Sequence, residues 1–151
     1  MNPEHLELVK RGANAVDEWR HENLADRLDL SGADLSGAHL SGWNLSRAVF
    51  DNANLSGADL SGTDLSEASL RSVNLHGAKL FKAILSRTKL SRADLSGADF
   101  RQANMYRAVL RECNIEGADF KRALTFKVIW PEGTGVVPGA HSARHSTLTE
   151  S

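Results

Sequence analysis

The chain has 151 residues, 41% hydrophobic and 25% charged, with a formal net charge of −1, which is enough for one domain with a sizeable if narrow core and leaves no need of a second. A near-neutral total excludes a chain that is basic or acidic throughout, and a single cysteine excludes an internal disulfide framework. The opening MNPEHLELVKRG lacks the basic-then-apolar order of a secretory leader, and no apolar run approaches the roughly 20 residues of a membrane span, so a cytoplasmic protein with no membrane partner is expected.

Residues 3 to about 24 read as one amphipathic helix. Leu6, Val9, Ala13, Val16 and Trp19 recur at spacings of three and four, Asn2 can cap, and Pro3 suits the first helical position. Residues 1–27 are therefore expected to form an N-terminal capping helix and linker.

From residue 28 to 125 the rule changes. Leu30, Leu35, Leu40, Leu45, Phe50, Leu55 and Leu60 begin a series of nineteen positions, five apart, that ends with Met105, Leu110, Ile115 and Phe120. Two places before most of them stands a small residue, such as Ala33, Ala38, Ala48 or Ala53. On an α-helix, steps of five drift about 140° each and make no stripe. On a flat strand, residues an odd number apart point opposite ways. The pair two apart is strand-like and the next lies three further on, so the chain must bend once per unit. Bending the same way each time turns both apolar positions toward a common axis and makes a coil, and stacked coils close a continuous core. Ser-Gly and Asp/Asn at the remaining positions are turn formers.

Units such as Ala33-Asp34-Leu35-Ser36-Gly37, Ala53-Asn54-Leu55-Ser56-Gly57 and Ala93-Asp94-Leu95-Ser96-Gly97 resemble the A(D/N)LXX motif of the pentapeptide-repeat proteins. The resemblance covers about two thirds of the chain. It implies an all-β solenoid, a right-handed quadrilateral β-helix with one unit per side, of about 4.75 coils for 19 units. Residues twenty apart then stack in columns about 4.8 Å apart. Leu40, Leu60, Leu80, Phe100 and Phe120 form one inward ladder, and Leu45, Leu65, Leu85 and Met105 another. Trp43 replaces alanine in the first coil and is expected to reach into the helical cap, whose residues are Leu6, Val9, Val16 and Trp19. Gly37, Gly57, Gly77, Gly97 and Gly117 share one corner, implying a positive-φ turn at that edge. Asp34, Asn54, Asn74, Asp94 and Asn114 stack just before it. Turn-capping by short polar side chains accounts for this column better than a metal site from Asp34 and Asp94, which are three coils apart.

The repeat is expected to lose phase at Leu124-Thr125-Phe126. Residues 126–151 then form a C-terminal cap segment and mobile tail, with Phe126, Ile129 and Trp130 covering the last coil or lying along a side. His141 and His145 are four apart, but in a Ser/Thr-rich tail a solvated pair is the better reading.

Chemistry-bearing motifs are missing: there is no Gly-x-Ser-x-Gly, phosphate loop, paired-cysteine motif or His-Glu-x-x-His. The reading is non-enzymatic, with no cofactor and no metal. Cys113 takes an inward, small-residue position. Charge is uneven along the rod. Residues 28–70 carry six acidic side chains against Arg47, a net −5, while residues 71–125 carry eleven basic against five acidic, a net +6. Phe81, Ile84, Tyr106, Leu124 and Phe126 interrupt outward polar positions in the later coils, and the chain's own tail is the expected cover. Arg47, Arg87, Arg107 and Lys127 stack along the adjoining corner, broken by Glu67. Phe81, Ile84, Tyr106, Arg87 and Arg107 are the candidate interaction surface.

Three functions compete. The first is a protein-interaction module or scaffold with an unidentified protein partner, acting as a monomer or weak homodimer. The second follows from the resemblance, since some pentapeptide-repeat proteins imitate duplex DNA and bind type II topoisomerases such as gyrase. This chain departs from that pattern, because a mimic needs acidity along its length. The third, direct nucleic-acid binding by the basic coils, is disfavoured by the single outward aromatic, Tyr106, among the arginines.

Overall fold

A computed structural model describes residues 1–134. The tail from 138, with His141 and His145, lies outside the described residues, and so does any cover it provides.

The single N-terminal helix expected over residues 3–24 is instead two. Helix α1 spans Pro3–Arg11 and α2 spans Ala13–Glu22. Gly12, at φ 106°, separates them, donating its N–H to the Val9 carbonyl while its own carbonyl accepts from Val16. A glycine directly after Lys10 and Arg11 is a helix stop, and only glycine enters that backbone region without strain. Asn2 caps α1 by accepting the Glu4 N–H at 3.0 Å. Asn23 ends α2, its N–H and side-chain amide both donating to the Trp19 carbonyl.

After a short linker, the chain winds into a β-helix. Every bridge is parallel and joins residues twenty apart, from Asp29–Val49 through Asn74–Asp94 to Val109–Ile129. Twenty residues are four five-residue units, so each turn has four sides. Each side is straight for about three residues and contributes one bridging residue per coil. Within a unit, the inward leucine donates to a carbonyl nineteen residues on, as Leu35 does to Asn54 at 2.8 Å. The bridging residue donates to a carbonyl of the preceding coil, as Asn54 does to Ala33 at 2.9 Å.

Between sides, a carbonyl accepts from the N–H three residues on, as Leu30 does from Ala33 at 3.1 Å, and the third turn residue has positive φ. This is the pattern of a type II turn. The positive φ expected at the glycine corner is present there, at 64° to 71°, and the other corners share it. Asn52, Glu67, Lys82, Arg87, Arg92 and Arg107 adopt it too, at φ 57° to 64°. The bend is set by closure of the coil, and the side chain accommodates.

One N–H per unit, that of the second turn residue, lies outside the ladder. The Asp/Asn column supplies its acceptor. Asp34, Asn54, Asn74, Asp94 and Asn114 each accept the N–H two residues on, at 2.9–3.1 Å. The column is therefore turn chemistry, and among the described residues no group of acidic, histidine or cysteine side chains could hold a metal ion.

The repeat does not lose phase at Leu124-Thr125-Phe126. Leu124 and Ile129 bridge to Asn104 and Val109, Thr125 occupies a leucine position, and Val128 and Trp130 point inward and are buried. Side-chain direction follows from alternation along the chain, so a threonine in place of a leucine does not break the phase. Pro131 takes the one turn position whose N–H the ladder does not use.

The inward positions form one continuous core from Val9 to Trp130. Phe100 and Phe120 stack at 5.0 Å with their planes 12° apart, and Trp130 meets Phe120 edge-on at 5.1 Å. Thr63, Thr88 and Cys113 take small-residue positions and donate to the carbonyls of Leu40, Leu65 and Leu90 at 2.7, 2.8 and 2.8 Å. Their polar atoms are thereby satisfied.

Candidate interaction face

Because inward positions are filled by core, chemistry available to another molecule must come from the outward residues. The described residues offer little of catalytic kind. His76 Nδ1 is 2.9 Å from Ser96 Oγ, whose hydroxyl donates to Asp94 at 2.6 Å. The hydroxyl proton is committed to the carboxylate, so the histidine does not stand as a base toward that serine. Cys113 is buried, and desolvation pushes its thiol up to about 11, away from a reactive thiolate.

The outward apolar side chains gather in the later coils. Phe81 is half-buried at the corner before the side that carries Ile84, with Lys82 Nζ 5.3 Å and the Arg101 guanidinium 5.4 Å from its ring centre. Ile84 (39% exposed) and Leu124 (57%) lie in one column of that side, with Asn104 between them. Tyr106 stands one coil beyond Ile84, at the next corner, and stacks on Phe126 at 6.0 Å with planes 9° apart. Arg107 lies 5.3 Å over the Tyr106 ring, and Lys127 5.4 Å over that of Phe126. Arg87, Arg107 and Lys127 share φ 58°, so one coil after another they leave the corner in the same direction. None of these three makes an ion pair among the described residues, whereas Arg92 pairs with Glu112 and Arg101 with Asp99.

The expected C-terminal cap divides. Trp130 turns in against Phe120, but Phe126 (42% exposed) and Ile129 (40%) turn out. Since the repeat holds its phase, these two join the outer face and cannot cover the last coil. Segment 126–130 likewise continues the coil and does not fold back over Ile84. Ile129 was missed as a surface residue, although counting on in fives from Val109 places it beside Lys127. Turn caps are lost here only where an apolar residue stands: among the described residues no carboxylate or amide caps the N–H of Ser86 or Phe126, after Ile84 and Leu124, or that of Arg111, after Val109 on the adjoining side, whereas Asn104 still caps Tyr106 at 3.2 Å.

At the other end, Val9 and Val16 are buried in the core, and Leu6, Trp19 and Trp43 are partly buried against it. His5 Nδ1 accepts the Asp29 N–H at 2.8 Å, and its ring lies 4.5 Å from Trp19. Arg20 donates to the Ser46 carbonyl and hydroxyl at 2.8 and 2.7 Å. These contacts fix α1 and α2 on the first coil. No helix among the described residues is long and apolar enough to cross a membrane.

No curated protein matches the chain. Among solved structures, it is similar to HetL, a pentapeptide repeat protein involved in heterocyst differentiation regulation in the cyanobacterium Nostoc sp. PCC 7120. The identity is 32% over 70% of this chain and 62% of HetL, with a TM-score of 0.28. Rfr23 from the cyanobacterium Cyanothece 51142, another pentapeptide repeat protein, is 33% identical over 70% of this chain and 66% of its own, with a TM-score of 0.27. QnrB1, a plasmid-mediated fluoroquinolone resistance protein, is 30% identical over 63% of this chain and 45% of its own, with a TM-score of 0.36. The chain thus spans less than two thirds of the length of HetL. The family description "Pentapeptide repeats" matches in 8 copies at residues 29–66, 50–87 and 88–124. With that match spread over most of the coil, the chain belongs to the pentapeptide-repeat family.

Proposed function

We propose that this chain is a non-enzymatic pentapeptide-repeat scaffold that binds another protein through the face built from Phe81, Ile84, Tyr106 and Phe126 and the cations Arg87, Arg107 and Lys127. In this reading, the molecule is a right-handed four-sided rod of about five coils, capped by residues 1–27, acting in the cytoplasm as a monomer or weak homodimer. The observation that carries the function is the stacked, outward Tyr106–Phe126 pair among cations that make no ion pair within the described residues. Aromatic and arginine side chains are the groups that anchor interfaces, and their clustering at one place on a polar rod is the signature of a binding patch.

The test is capture of partners on immobilised protein. Replacing Ile84, Tyr106 and Phe126 together by alanine should abolish the captured partner while the far-ultraviolet circular dichroism is unchanged. Undiminished capture would contradict the assignment.

A second reading is modulation of a type II topoisomerase by imitation of duplex DNA. It draws on the family and on the 30% identity to QnrB1 over 63% of this chain. The net +6 of residues 71–125 opposes it, because that half would repel a site shaped for DNA. Absence of both inhibition and protection in a gyrase supercoiling assay would remove it.

A further inference from the structure

We infer that the partner element is an acidic amphipathic α-helix lying along the rod axis over the corner of Arg87, Arg107 and Lys127; this rests on the interaction face proposed above. The column rises one coil at a time, about 4.8 Å per step. A helix presents one face every turn, about 5.4 Å. Carboxylates at i, i+4 and i+7 therefore keep pace with the three cations to within about 1.2 Å over two steps, which flexible side chains absorb. An extended strand repeats on one face about every 6.7 Å and falls out of register by nearly 4 Å over the same span.

The corner's two flanks supply the apolar part of the match. On one side stand Ile84 and Leu124 with the Tyr106–Phe126 stack, and on the other the half-buried Val109 and the exposed Ile129. Leucines bordering the acidic stripe of a helix would meet both. Arg107 lies 5.3 Å from the Tyr106 ring centre, and its guanidinium makes no ion pair among the described residues, so its N–H groups remain to donate to a carboxylate. Glu67 occupies the same corner one coil earlier, so the acidic stripe must end at that level.

Nucleic acid fits less well. Tyr106 and Phe126 stack on each other and each has a cation 5.3–5.4 Å from its ring centre, which reduces the face left for a base. The exposed aliphatic residues have nothing to contact along a phosphate backbone.

The experiment is a titration of the isotope-labelled full chain with a stapled helical peptide bearing glutamates at i, i+4 and i+7 flanked by leucines, read by amide chemical shifts. Shifts should centre on Arg87, Tyr106, Arg107 and Lys127. A peptide of the same composition with its glutamates spread around the helix should bind at least about tenfold more weakly, as should the Arg107→Glu protein. Exchanging the middle glutamate for lysine should restore binding to Arg107→Glu. Equal binding by the scrambled peptide, no rescue by the exchanged charge, or tighter binding of duplex DNA or of phosphatidylserine vesicles to the same residues would overturn the inference. If the peptide fails while capture of a partner still depends on Ile84, Tyr106 and Phe126, the face stands and the helix does not. If both fail, both fall.

Discussion

The turn aspartates contribute to the pH dependence expected of this fold. The Ser36 and Ser96 hydroxyls, and then the N–H groups of the same residues, hold Asp34 and Asp94 below the usual carboxylate range; the Ser61 N–H, then its hydroxyl, does so for Asp59. A carboxyl with a lowered folded pKa contributes stability that is present above its unfolded value and lost as pH falls through the folded one. Thermal midpoints should therefore be level above about pH 5 and decline below about pH 4. The double variant Asp59→Asn, Asp94→Asn keeps an acceptor at each turn but removes the titration, so its decline in a calorimetric pH series should be shallower. An equally steep decline would place the acid sensitivity elsewhere.

Backbone strain is also a matter of single residues. Gly77 sits at φ 64° with nothing within 4 Å of where a Cβ would stand, so Gly77→Ala tests the backbone conformation without a clash. It should cost about 1 kcal/mol in denaturant unfolding. Lys82, at φ 59° in the equivalent position of another corner, should give the opposite sign on replacement by glycine.

Among elements, the inward ladders hold the coil together. Leu65 is fully buried, and Leu65→Ala should cost about 2–5 kcal/mol, because coils stacked above and below cannot collapse onto the space left. Val9 of α1 and Val16 of α2 share one core cluster with Leu28, Leu30 and Leu45 of the first coil, the packing expected of a cap. Deleting residues 1–22 should bare that apolar end together with its unpaired backbone groups. The truncated chain should then associate in sedimentation velocity runs. A truncated chain that stays monomeric and folded would remove the capping role.

The coil itself was legible from the sequence, since an apolar pair every five residues admits few backbones. The same twenty-residue columns account for the Asp/Asn series as turn caps. The misreadings share a cause. At Gly12 an amphipathic pattern ran unbroken across a helix stop, because hydrophobic spacing reports a common face and is blind to a bend in the backbone. At Thr125 a polar residue stands at a leucine place in the count, and beyond it Phe126 and Ile129, expected in a cap, face out. Alternation along the chain, which needs no leucine, was the stronger rule. The candidate face was largely visible: Phe81, Ile84, Tyr106, Leu124 and Phe126 stand out as outward interruptions, while Ile129 lies beyond the expected end of the repeat.

In the whole molecule the inward residues form the core, and the proposed binding role belongs to one outward region. The rod is acidic in its first half and basic in its second, and the apolar residues Leu124, Phe126 and Ile129 concentrate at the basic end. Association through that end should weaken as salt is raised, because exposed charges are screened while the apolar contact persists. The most direct test of the central claim is quantitative capture from the source cell on three immobilised proteins: the native chain, the Ile84→Ala, Tyr106→Ala, Phe126→Ala variant, and a control with Ser36→Ala and Ser56→Ala on a different side. The account predicts a partner held by the native chain and the control and lost by the triple variant. A partner held equally by all three would contradict it.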